Sequence, residues 1–136
     1  MRLPTILALI AATGLLGAAV AACAAKRPPQ NENAETLLKR LRALEAESTC
    51  SATADCRTLP IGEKMCGGPS AWLAMSTSTL PEAQAVAGRY TALRQAANAK
   101  AAADGVAGTC DVVPEPAVAC VAGYCRVQRG PSGRAD

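Results

Sequence analysis

The chain has 136 residues, a formal charge of +3, seven cysteines, one tryptophan, two tyrosines, and neither histidine nor phenylalanine. That length holds one small domain beside an export segment, and with no basic run longer than Lys26-Arg27 or Lys39-Arg40 the concentrated basic face that nucleic-acid binding requires is excluded. The missing histidine removes the commonest general base and the commonest zinc ligand, and a core of Ala, Leu and Val with few aromatics is expected to need disulfides at about 2–4 kcal/mol each.

Met1-Arg2 is a short basic start, residues 3–20 are apolar without charge, and small residues lead into Cys23. This is the plan of a secretory signal. Val20-Ala21-Ala22-Cys23 resembles the bacterial lipobox, and the resemblance implies cleavage before the cysteine, a diacylglyceryl group on its thiol and an acylated new amino terminus. Two or three acyl chains anchor firmly where one binds only marginally. An uncleaved membrane helix is the competing reading. About 18 apolar residues are near the lower limit for spanning, and Gly14, Gly17 and many alanines make a poor span. Residues 1–22 are therefore read as a lipoprotein signal peptide and Cys23 as the lipidation site. Removing Cys23 from seven cysteines leaves an even six.

Residues 23–33 read as the lipidated cysteine and a tether. Pro28-Pro29 favours an extended form at about 3.1 Å per residue, enough to hold a domain about 30 Å from the membrane. Ala24 is not the aspartate that retains many such lipoproteins in the inner membrane. By resemblance to that sorting rule, the expected location is the periplasmic face of the outer membrane.

From residue 35 to 47, Leu37, Leu38, Leu41 and Leu44 fall on one helical face, with Asn33 as N-cap. The leucine stripe is expected to pack on its own domain rather than on a partner. The segment "CRTLPIGEKMC" suggests a short strand into a turn, and Gly67-Gly68-Pro69 breaks the chain before "SAWLAMS". Thr79-Leu80-Pro81-Glu82 reads as a capping box. It opens a second helix whose apolar positions are Leu80, Ala83, Val86, Tyr90, Leu93 and Ala97, stopping at Gly105. Ala122-Gly123 between two β-prone runs predicts a hairpin. The fold class expected over residues 34–128 is α+β: two helices packed on a short antiparallel sheet, with a C-terminal β-hairpin, all stapled by disulfides. Residues 129–136 are expected to form a disordered tail.

Cys50, Asp55-Cys56, "IGEKMCGGPSAWLAMS", Tyr90 and "PEPAVACVAGYC" together resemble a group of small cysteine-rich bacterial lipoproteins over residues 50–127. The resemblance implies an envelope location and a disulfide scaffold. It carries over no catalytic or binding residue.

Cys50, Cys56, Cys66, Cys110, Cys120 and Cys125 are expected to form three disulfides, because exported cysteines meet an oxidising compartment. Their spacing offers neither the close pairs of a zinc site nor a C-x-x-C redox motif. Many pairings are possible. The expected one joins the first cluster (Cys50, Cys56, Cys66) to the second (Cys110, Cys120, Cys125), closing long loops around the second helix.

Without histidine, a serine nucleophile would need a lysine base. Lys64 and Ser70 are the available pair, but no nucleophile elbow accompanies them. Glu63, Asp111 and Glu115 are scattered carboxylates, and Gly67-Gly68 is too short for a phosphate loop. No enzyme, cofactor or metal is expected. The candidate binding surface is Trp72, Leu73 and Met75, since Trp anchors interfaces and Met adapts to partners, although a lone Trp in an aromatic-poor domain favours a core role. The function expected is that of a membrane-anchored accessory contacting another envelope protein. The alternative is a small-ligand-binding or inhibitor-like module.

Overall fold

The computed structural model describes residues 32–128. Residues 1–31, which include the expected signal peptide, Cys23 and most of the expected tether, and residues 129–136, the expected tail, lie outside the described residues. The first helix, α1 (Ala34–Ala46), starts where expected, the Asn33 side chain accepting from the Thr36 N–H at 2.8 Å. Leu37, Leu41 and Leu44 are buried and Leu38 packs against the same cluster, so the leucine stripe faces the domain's own core.

A one-turn 3-10 segment (Thr53–Asp55) leads into β1 (Cys56–Ile61), which pairs antiparallel with β2 (Ala71–Ser76). Side chains alternate across a strand, and here both faces are used. Leu59, Ile61, Leu73 and Met75 point to the helices, while Cys56 and Ala74 point to the opposite side. The free edge of β2 is occupied from α1, the Ala74 N–H donating to Glu45 Oε1 at 3.1 Å. That contact satisfies an edge amide which would otherwise be open to another strand.

The second helix, α2 (Leu80–Ala103), departs from expectation at both ends. Thr79 occupies the N-cap position, but its backbone is helical and its side chain makes no cap bond, so the capping box does not form. The Thr79 hydroxyl is instead drawn into a buried cluster, and Glu82 accepts from the Arg40 guanidinium of α1. Pro81 in the first turn lacks the N–H that a cap would have served. Ala83, Val86 and Ala87 are buried and Leu80 and Tyr90 pack against the core, yet Leu93 is 39% exposed and Ala97 is exposed. The reason is length. At 1.5 Å per residue, α1 with 13 residues ends well short of α2 with 24. The later turns of α2 meet the 62–70 turn through polar groups, Thr91 Oγ1 accepting from the Gly62 N–H at 3.1 Å and Asn98 Nδ2 donating to Glu63 O at 2.8 Å.

The hairpin of β3 (Val118–Val121) and β4 (Tyr124–Val127) covers the other face of β1–β2, with Cys56, Ala74 and Cys125 at the centre of that contact. The fold is thus α+β in three layers: two helices, a two-stranded sheet and a second two-stranded sheet. Among the described residues no helix is long and apolar enough to cross a membrane.

The three disulfides are Cys50–Cys120, Cys56–Cys125 and Cys66–Cys110. Each joins the first cluster to the second, as expected. Cys120 and Cys125 face each other across the hairpin, so one rung of the ladder carries two bridges, one to Cys50 ahead of β1 and one to Cys56 at its start.

The hairpin turn is Ala122-Gly123, with φ of +51° and +80°. Two positive φ values are what a type I′ turn requires, and they suit the twist of the strands. Gly123 adopts them freely, whereas Ala122 sits in a region that costs an L-residue with a Cβ about 1–2 kcal/mol. Ala122→Asn is expected to raise stability by about 0.5–1 kcal/mol, read as a higher melting temperature with unchanged disulfides.

Candidate functional site

The Trp72, Leu73, Met75 surface is corrected by the sheet. Leu73 and Met75 are 0% exposed inside the helix-facing core, because odd positions of β2 point to α1 and α2. They cannot touch a partner. Trp72 is on the opposite face, half-buried, and its indole Nε1 donates to Val113 O at 3.1 Å.

Val113 belongs to a strap, residues 105–117, that runs from the end of α2 back across the sheet to β3. The strap has no regular structure, and the side chains of the β1–β2 layer hold it. Lys64 Nζ donates to Asp111 O at 2.8 Å and pairs with the Asp111 carboxylate. The Thr58 hydroxyl donates to Glu115, and Cys66 is bonded to Cys110. Gly108 lies directly over Met65, where a Cβ would come within 2.9 Å of the methionine side chain. Val112 is 86% exposed and Val106 55% exposed, so the strap buries little of its own apolar surface.

These contacts also locate the residues weighed for catalysis. Lys64 is committed to Asp111, so acting as a base for Ser70 would require it to leave that carboxylate. Glu63 accepts from Gln95 and Glu115 from Thr58, so the three carboxylates each serve a different neighbour. The Sγ atoms of Cys50, Cys56 and Cys125 lie within 4.8 Å of one another, a metal-like spacing, but all three sulfurs are held in disulfides and offer no thiolate. Cys23 lies outside the described residues.

A feature that the sequence reading missed sits where α1, β2 and α2 meet. Ser48 and Ser76 are buried, and Ser48 Oγ donates to Leu44 O at 2.8 Å. The Thr79 hydroxyl lies 2.8 Å from Ser48 Oγ and 3.0 Å from Ser76 Oγ. Every buried side-chain polar atom among the described residues has a partner. Outside this cluster opens a polar cleft of about 250 Å³ lined by Thr49, Cys50, Ser51, Asp55, Ser76, Thr77 and Ser78. The run Ser76-Thr77-Ser78-Thr79 was its only signal in the sequence.

The Asp55 carboxylate at the cleft accepts from the Ser51 and Ala52 backbone N–H groups, both at 2.9 Å. These two bonds hold its carboxyl below the usual range, burial opposes them, and Arg57 adds a smaller pull in the same direction. On the strap, the hydrogen bond from Lys64, followed by one from Thr109, lowers Asp111 to about 2. A carboxyl that binds its proton less readily when folded stabilises the fold above its ordinary value and loses that contribution as the pH falls through the folded one. For Asp111 the window runs from 3.8 down to about 2. In wild type, unfolding is expected to become easier across that window. Asp111→Asn is expected to flatten the decline, as measured by thermal melts at closely spaced pH.

Comparison of the chain with protein-family models, with curated proteins and with solved structures finds no match.

Proposed function

We propose that the chain is an envelope lipoprotein, lipidated at Cys23, whose small disulfide-stapled domain serves as a non-enzymatic interaction or structural accessory on the periplasmic side of the outer membrane. One observation carries this reading: three intradomain disulfides consume six of the seven cysteines and leave out the one that follows Val20-Ala21-Ala22. A cysteine outside the scaffold, directly after small residues that end an apolar run, has the chemistry of a lipid attachment point. Ala24 at the next position supports sorting to the outer membrane. The anchor confines the domain to a membrane surface, where a partner is met at high effective concentration.

The anchor is tested by intact mass of the protein extracted from membranes. A chain beginning at Cys23 with thioether-linked diacylglycerol and an acylated amino terminus is expected. An unmodified chain beginning elsewhere overturns the anchor. The accessory role is tested by cross-linking in the native envelope, beside a Cys23→Ala form exported by a cleavable signal. An abundant envelope partner lost without the anchor is expected. Empty capture in both forms counts against the role.

The second reading is a small-ligand module, and the polar cleft favours it. Its volume of about 250 Å³ is just below the usual range for ligand pockets. It lies at the Ser76 end of β2, away from Trp72, so tryptophan emission is the wrong probe for it. Ligand binding there is read from the amide resonances of Ser51, Thr77 and Ser78.

A further inference from the structure

We propose that Cys66–Cys110 is a redox latch: its reduction by a dithiol frees the 105–117 strap and uncovers Trp72, while the rest of the domain stays folded.

Three features of the molecule converge on this pair. The first is accessibility. Cys66 and Cys110 are both exposed, whereas Cys56 and Cys125 are buried and Cys50 and Cys120 are half-buried. Thiol–disulfide exchange needs direct attack on a sulfur, so access selects the bridge that opens first. The second is position. Among the described residues Cys110 is the only side-chain covalent tie between the strap and the sheet layer, while the hairpin beyond the strap keeps two bridges of its own. Opening the latch therefore leaves the layers stapled. The third is the weakness of what remains. The noncovalent ties to the sheet layer are Lys64, bonded to both the carboxylate and the backbone O of Asp111, the Thr58–Glu115 bond and the indole bond to Val113 O. The Asp111 carboxylate is 65% exposed, and an ion pair open to water on one side contributes little, while exposed Glu115 is held by a single hydroxyl bond. Val112 and Val106 point mainly to solvent, and Gly108 has no side chain to bury over Met65.

The step is a two-electron exchange. One thiolate of the dithiol attacks a sulfur of the Cys66–Cys110 bond and forms a mixed disulfide, releasing the other cysteine as a thiolate that takes up a proton. The second thiol of the reductant then displaces the first cysteine, which is protonated in turn. The dithiol ends as a disulfide and the protein gains two thiols. With the strap lifted, Trp72 loses the acceptor for its N–H and turns toward water. This inference rests on the domain alone and does not require the lipid anchor.

The test uses the full chain, oxidised and purified, exposed to graded dithiothreitol and then quenched, alkylated and mapped by mass. Cys66 and Cys110 are expected to be labelled while Cys50, Cys56, Cys120 and Cys125 remain protected. Over the same range Trp72 emission should shift to longer wavelength and far-ultraviolet dichroism should be retained. Simultaneous labelling of all six cysteines overturns the proposal, as does first labelling at either of the other bridges. Selective opening with unchanged Trp72 emission also overturns it, because the strap then stays down without its bond. The Cys66→Ser/Cys110→Ser variant should show the emission of the selectively reduced protein before any reductant is added. Should that variant not fold, the titration of wild type decides alone.

Discussion

Replacing Cys50, Cys56, Cys120 and Cys125 together by alanine is expected to unfold the domain, while removing either bridge alone leaves it folded and weaker. The two bridges span 70 and 69 residues, and in the chain-entropy model one such loop by itself would contribute about 4.4 kcal/mol. Taken separately they would give about 9 kcal/mol. The arrangement reduces that figure, because Cys66–Cys110 lies inside both loops and shortens the path. The first of the two bridges then closes about two dozen residues and contributes about 3.5 kcal/mol. The second closes only the short arms between Cys50 and Cys56 and between Cys120 and Cys125, about a dozen residues, and contributes about 3 kcal/mol. Together they come to about 6 kcal/mol, comparable with the whole stability of a domain of this size. Of the single pairs, Cys56–Cys125 is expected to cost more, since both sulfurs are buried against Ala74 and their removal also leaves a cavity. Guanidinium titration of the two double variants and the quadruple variant measures this. A Cys50→Ala/Cys120→Ala protein with no folding transition would show that this bridge alone holds the hairpin.

Leu73→Ala is expected to destabilise the domain by about 2–5 kcal/mol without a specific effect on any partner. The side chain is fully buried between the sheet and the two helices, touching the cluster that includes Leu37, Leu41, Leu59 and Val86. An Ala-rich second helix offers few large groups that could move into the gap. Val112→Ser is the control: the side chain is mostly in water, and surface changes of this kind stay within about 0.5 kcal/mol. Urea unfolding of the two variants compares them directly. Equal midpoints would mean that Leu73 is not in the core.

Local rules carried the reading of α1. Its leucine spacing and Asn33 predicted both the buried face and the cap, because both depend on contacts within one turn of the chain. The Ala122-Gly123 hairpin was legible for the same reason, its turn being set by two residues. Local rules failed at Thr79, where the motif for a capping box was present. Two buried serines from other elements compete for its hydroxyl, and one residue of context cannot reveal them. Leu93 and Ala97 failed likewise: helical spacing marks a face, but what covers that face is set by the length of the neighbouring helix.

The amino-acid sequence by itself determined the class of the domain: α+β, poor in aromatics and rich in cysteine, with the two helices and the terminal hairpin. These follow from composition, periodicity and turn chemistry, which are properties of neighbouring residues. Tertiary structure alone decided which cysteines meet, that β2 is buried on both faces, and that Trp72 lies under a strap while Leu73 and Met75 lie in the core. It also decided that four hydroxyl-bearing residues, scattered singly or in a short polar run, gather at one junction. Such facts depend on residues distant in the chain arriving at one place. Burial, bonding and accessibility belong to that assembled place and to no single segment of it.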